Sequence, residues 1–159
     1  MIDILKLKER YLNLFPDAKD VPVTLGNENE KILDEIERIL EIKLPEDFRQ
    51  ISSFYNGDLL GSICIFDVNY KVNSLNIVEE TIKHRKGINL PNKYVTLAEP
   101  PESFIVMDTE NSSSVIWCDA IDAERLEDKV FNSPPKIWNT YAEFFENLLE
   151  EEEEEERKY

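Results

Sequence analysis

The chain has one histidine, His84, inside Lys83-His84-Arg85-Lys86, and two cysteines, Cys64 and Cys118, far apart in sequence. An imidazole serves as a general base only beside a positioned carboxylate or nucleophile. Spacing marks no such constellation near His84, which reads instead as a solvated helix-end residue whose cationic neighbours complement the helix dipole. One histidine and two distant cysteines also lack metal-ligand spacing, and without CxxC the cysteines read as small buried hydrophobes in β-like runs. The sequence therefore points to no catalytic residue, no metal and no cofactor. What remains is fixed negative charge, and Asp108, Glu110, Asp119, Asp122 and Glu124 gather around one expected hairpin and its exit.

The rest of the composition repeats that theme. Of 159 residues, 34 are acidic and 18 basic, for a net charge of -16. Residues 150–159 contribute -5 through seven Glu, one Arg and one Lys, so residues 1–149 still carry -11. A field of that sign repels nucleic acid and anionic membrane, and it steers a basic protein partner. With 42% hydrophobic and 33% charged residues the composition is globular. A chain of this length buries about 68 to 70% of its unfolded surface, so one domain needs no disulfide or metal staple. Apolar runs fall well short of the roughly 18 residues that span a bilayer, and Met1 to Lys6 lacks a basic, cleavable leader pattern. The expected location is the cytoplasm.

The elements that must position these acids can be read in order. Ile4, Leu7, Tyr11 and Phe15 predict a first helix, with Leu5 and Leu12 widening its stripe, and Pro16 stops it. A loop over 16–26 follows. Asn27 and Glu30 have capping-box spacing before a second helix over about 28–42, with Ile32, Leu33, Ile36, Ile39 and Leu40 on one face. A third begins at Pro45, places Phe48, Ile51 and Tyr55 on one face, and stops at Asn56-Gly57. Residues 62–68 predict a strand. Ser74 caps a weaker helix with Leu75, Val78 and Ile82 on its stripe and Ile77 off it, closing at Gly87. Three strands are expected around residues 94–97, 104–107 and 115–117, the last two as a hairpin, with a short further strand at 129–131. Thr140 and Glu143 then cap a last helix carrying Tyr141, Phe144, Phe145, Leu148 and Leu149, with Trp138 packed at its entrance. The glutamate run from 150 to 156 holds three like-charge i, i+4 pairs at a negative helix end, and is expected to fray as a solvated tail.

Leu44-Pro45-Glu46-Asp47-Phe48 after an amphipathic helix, the aromatic pair Phe54-Tyr55 and Asn56-Gly57 together resemble the N-terminal signature of the SUKH superfamily. Leu90 to Val95, Phe104 to Asp108 and Val115 to Asp119 resemble its central strands, and Tyr141 to Phe145 its closing helix, a likeness over residues 28–149. Pro100-Pro101-Glu102-Ser103 stands where members often carry a glycine-rich turn. The resemblance implies a single α+β domain over residues 1–149, a largely antiparallel sheet with helices packed against it, followed by the acidic tail 150–159. It also implies protein binding without catalysis. Many bacterial members look like immunity proteins that neutralise a cognate toxin, often a nuclease, whose basic surface suits an acidic inhibitor. On that reading Asp108, Glu110, Asp119, Asp122 and Glu124 contact the toxin, and the helix that carries the signature is scaffold. The alternative is a regulatory scaffold binding an endogenous cytosolic protein, as fungal members are thought to do.

Overall fold

Phe104, Ile105, Val106 and Met107 leave no polar side to their strand, and in the computed structural model of the chain all four are buried in a sheet covered on both faces. The structure describes residues 2–20, 24–72 and 74–158. Strands β1 (Asp58–Leu60) and β2 (Ile63–Ile65) form a small ribbon. Strands β3 (Tyr94–Ala98), β4 (Ser103–Asp108), β5 (Ser114–Asp119) and β6 (Lys136–Trp138) make a four-stranded antiparallel sheet in that order. Alternation along β4 sends Ile105 and Met107 to one side with Val95, Leu97 and Val115. Phe104 and Val106 go to the other with Tyr94, Ile116 and Cys118. A continuous apolar run is what double burial requires.

Helices supply most of the first layer. α1 (Ile4–Leu14), α2 (Thr24–Leu40), α3 (Glu46–Ser52) and α5 (Tyr141–Arg157) contribute Leu7, Leu33, Ile36, Phe48, Ile51, Phe144 and Phe145. The opposite face is covered by the 3-10 turn Ala120–Arg125 and the chain after it, through Ala123, Leu126 and Phe131. α4 (Ile77–Ile88) lies along β3, where Thr81 Oγ1 accepts from Thr96 N at 3.0 Å, and Phe66 N donates to Leu97 O at 2.9 Å. These bonds occupy part of an outer strand edge that would otherwise invite pairing with another chain. The arrangement is the expected α+β domain.

Several boundaries differ from the sequence expectation. α2 starts at Thr24, so Asn27 lies within the helix rather than capping it, and a 3-10 turn (Pro16–Asp20) replaces the first part of the expected loop. Residues 21–23 of that loop lie outside the described residues. α3 ends at Ser52, and Tyr55 is buried from the turn beyond it. Gly57 adopts φ +130°, and a Cβ there would meet Phe66 O at 2.9 Å, so its glycine identity serves the chain crossing below the ribbon. The N-cap of α4 is Asn76, not Ser74. This rotates the buried face so that Ile77 is enclosed and Leu75 exposed, and the helix stops at left-handed Asn89 beyond Gly87. Residues 129–131 make no strand; Lys129 has φ +54°, and the fourth strand is β6. Cys64 is exposed because alternation in β2 turns Ile63 and Ile65 inward, whereas Cys118 is buried as expected. In the turn Pro100-Pro101-Glu102-Ser103, where similar chains often carry glycine, Glu102 takes a left-handed conformation with φ +60°.

One carboxylate joins three elements. Asp47 Oδ2 accepts from Ser113 Oγ and from Ala142 N, both at 2.9 Å, while Ser113 Oγ accepts from Tyr141 N at 3.0 Å. Thr140 Oγ1 accepts from Glu143 N at 3.2 Å, and Trp138 packs edge-on against Phe144 with centroids 5.0 Å apart. The first three N–H groups of α5 are thereby satisfied, groups that a helix cannot pair by itself. Asp47→Ala leaves the Ala142 N–H without its acceptor and should cost about 1 to 3 kcal/mol in urea unfolding, with faster exchange at that amide.

The glutamate run does not fray. α5 continues through it to Arg157, because Arg10 of α1 donates to Glu153 at 2.6 and 3.1 Å and to Glu146 at 3.2 Å, while Gly61 N donates to Glu152 Oε2 at 2.9 Å. The Arg10 hydrogen bond holds the Glu153 carboxyl below its ordinary value, against the opposing effect of burial. A depressed carboxyl stabilises the fold at neutral pH, and the contribution disappears as pH falls through the folded-state value. Glu153→Gln should therefore lose under about 1 kcal/mol at neutral pH, with the difference from wild type closing in acid when unfolding is followed against pH.

Candidate functional site

The five acids do not form one cluster. Ser103 pairs with Asp119 and Asp108 with Ser114, so Asp108 and Glu110 lie at the turn end of the β4–β5 hairpin and Asp119 at its open end. Five residues of strand separate the ends by about 17 Å. Asp108 is only 2% exposed; Lys93 Nζ stands 3.6 Å from its Oδ2, and its Oδ1 accepts from Glu110 N at 3.0 Å. Asp122 is 0% exposed and accepts from Asn132 N at 2.9 Å and Ser133 N at 3.4 Å. Both carboxylates are occupied inside the protein, closing a turn and holding the segment over the second sheet face. Glu110 and Glu124 are exposed and Asp119 is half-buried. Sequence position placed all five near one hairpin; strand register divides them.

An open groove of about 850 Å³ lies at the turn end. Ile4 and Leu5 of α1, Pro45, Ala142 and the turn residues Ser112 and Ser113 line it, with Asp3, Glu46 and Glu143 contributing carboxylates. Leu5 is among the most exposed large apolar residues. Glu110 belongs to the same turn as Ser112 and Ser113. The groove was legible only as the widening of the first helix's stripe at Leu5, because its other walls come from distant stretches of chain.

His84 is not solvated. Its side chain is 11% exposed, its ring packs edge-on against Phe104 with centroids 4.8 Å apart, and Nδ1 lies 2.6 Å from Glu80 O. Nε2 stands 2.9 Å from Glu99 Oε1, and Glu80, one turn earlier on α4, brings a second carboxylate. Glu99 follows β3, fifteen residues away in sequence, which is why spacing alone reveals no donor set.

These features define an acidic α+β domain with a doubly covered sheet and an apolar groove among carboxylates. A family model described as SMI1-KNR4 cell-wall, of the SUKH group, matches residues 3–150, and the chain belongs to that family. No curated protein matches the chain. Among the described residues, no helix is long and apolar enough to cross a membrane.

Asp122→Ala removes a fully buried acceptor from two backbone N–H groups and should cost about 1 to 3 kcal/mol in chemical denaturation. Exposed Glu124→Ala should stay within about 0.5 kcal/mol of wild type, so the pair separates structural from surface acid.

Proposed function

We propose that the chain is a non-catalytic protein-binding domain, an immunity protein that neutralises a cognate bacterial toxin with a basic surface, such as a nuclease. The observation that carries the reading is the charge of -16 on a member of this family. An inhibitor with that excess of carboxylates approaches a phosphate-binding surface quickly and competes for it. The groove supports the reading, since apolar walls with acids among them fit a partner segment carrying apolar and basic side chains. Of the five acids singled out by sequence, Glu110 beside the groove fits the interface best, with Asp119 and Glu124 offering a second acidic patch; Asp108 and Asp122 support the fold.

The cell-wall wording of the family description favours one other reading, a regulatory scaffold for an endogenous protein. Co-purification with the product of the adjacent gene separates the two. Capture of a toxin domain supports immunity, whereas a cell's own cytosolic protein held in place of the neighbouring product overturns it. With that complex in hand, Glu46→Lys with Glu110→Lys should slow association about tenfold and flatten its salt dependence, and Asp119→Lys with Glu124→Lys should do less. Rates and salt dependence unchanged in both pairs would remove these acids from the interface.

A further inference from the structure

We propose that Glu80, His84 and Glu99 form a binding site for a divalent transition metal, with zinc the best-matched ion. The donor atoms of all three residues lie within 4.8 Å of one another. A tetrahedral zinc with bonds of about 2.1 Å spaces its ligands by about 3.4 Å, so movements of roughly an ångström complete the set.

The orientation of the imidazole is the stronger argument. Nδ1 lies 2.6 Å from the Glu80 carbonyl oxygen, which can only accept, and 3.3 Å from Thr96 Oγ1, which can accept or donate, so the shorter contact favours the proton on Nδ1. In the neutral ring the Nε2 lone pair then points at Glu99 Oε1, 2.9 Å away. Two lone pairs face each other unless a cation is shared between them, either a proton on Nε2 or a metal ion. A backbone carbonyl holding Nδ1–H while Nε2 points outward is also the arrangement that orients metal-binding histidines. Packing against Phe104 fixes the ring, and Glu80 is 8% exposed, so two of the three donors are already in place. One imidazole and two carboxylates suit a borderline ion such as zinc better than calcium or magnesium, which favour all-oxygen shells.

A cation already visits the cluster. Lys83 Nζ lies 2.9 Å from Glu80 Oε2 and 3.9 Å from Glu99 Oε1, and the lysine side chain is 64% exposed. It can leave without opening the core, so zinc competes with a mobile ammonium.

Because His84 is the only histidine, its ring nitrogens report the site without ambiguity. The full chain, labelled with nitrogen-15, is titrated with Zn²⁺ while the imidazole resonances are followed, and affinity is measured against a chelating dye. The Nε2 resonance should move to its metal-bound position and saturate at one ion per chain, with Nδ1 keeping its proton. Glu99→Gln should weaken binding about tenfold or more with circular dichroism and unfolding unchanged, and Lys83→Gln should tighten it about threefold or more. Imidazole signals unmoved by excess Zn²⁺ would sink the proposal. So would Glu99→Gln binding as tightly as wild type, which would locate the ion on the glutamate run or Cys64, or Lys83→Gln giving no gain.

Discussion

The carboxylate of Asp47 is the contact on which the helix layer depends. An α-helix begins with N–H groups that nothing inside it can accept, and α5 must begin where the chain leaves β6 and turns over the sheet. Three acceptors from three stretches meet there: Ser113 for Tyr141 N, Asp47 for Ala142 N and Thr140 for Glu143 N. That junction fixes the direction of α5, and with it the inward placement of Phe144, Phe145, Leu148 and Leu149. It also holds the β4–β5 turn, where Ser112 and Ser113 take φ values of +50° and +56° without being glycine. Backbone in that region costs of order 1 kcal/mol or more per residue, and persists only where surrounding bonds fix it. Ser113 is bonded on both sides, so the network that starts α5 also keeps one wall of the groove in shape.

The second constraint is charge. Excess negative charge works against compaction, and 18 cations cannot be matched one to one with 34 acids. The fold uses single cations against several carboxylates. Arg49 contacts Glu30, Asp34 and Glu37; Arg10 contacts Glu146 and Glu153; Lys83 contacts Glu80 and Glu99. Each cluster ties separate pieces of chain, and those of Arg10 and Arg49 join helices. Such pairs are worth little individually when exposed, yet placed where repulsion is greatest they let a seven-glutamate run complete a helix. Exposed carboxylates outside these clusters, Glu110 and Glu124 among them, face solvent and keep the surface field negative.

Much of the architecture was legible because periodicity reports burial. The apolar stripes of α1, α2 and α5 and the runs of β3, β4 and β5 were all readable, and the aromatic content of residues 141–149 correctly announced a buried face. What escaped were features decided by partners distant in sequence. A cap is chosen by backbone geometry, so Asn76 displaced Ser74 and turned Ile77 inward. Extension of α5 depended on Arg10 and Gly61, and neither is visible from the glutamates themselves. The five acids were grouped by sequence, whereas antiparallel register sends the two ends of a hairpin apart. His84 looked solvated among lysines and arginine because helix phase, which turns it onto Phe104 and toward Glu99, is not carried by local charge.

Charge alone would make a poor inhibitor. Electrostatic attraction raises the rate of encounter and orients the partner, but it is screened by salt, and rim charges add little to the lifetime of a complex. Lifetime comes from a desolvated centre, usually a few apolar or aromatic anchors enclosed by polar surroundings. The turn end of the hairpin offers both parts together, since exposed Leu5 and the walls from Pro45 and Ala142 lie among Asp3, Glu46 and Glu143. The open end offers Asp119 and Glu124 but lies about 17 Å away along the strands, far enough to steer a partner without sharing its anchor. On the immunity reading this division assigns the groove to holding and the wider acidic surface to capture. Buried Asp108 and Asp122, bonded to backbone N–H groups of the turn and of the covering segment, help both surfaces keep their shape.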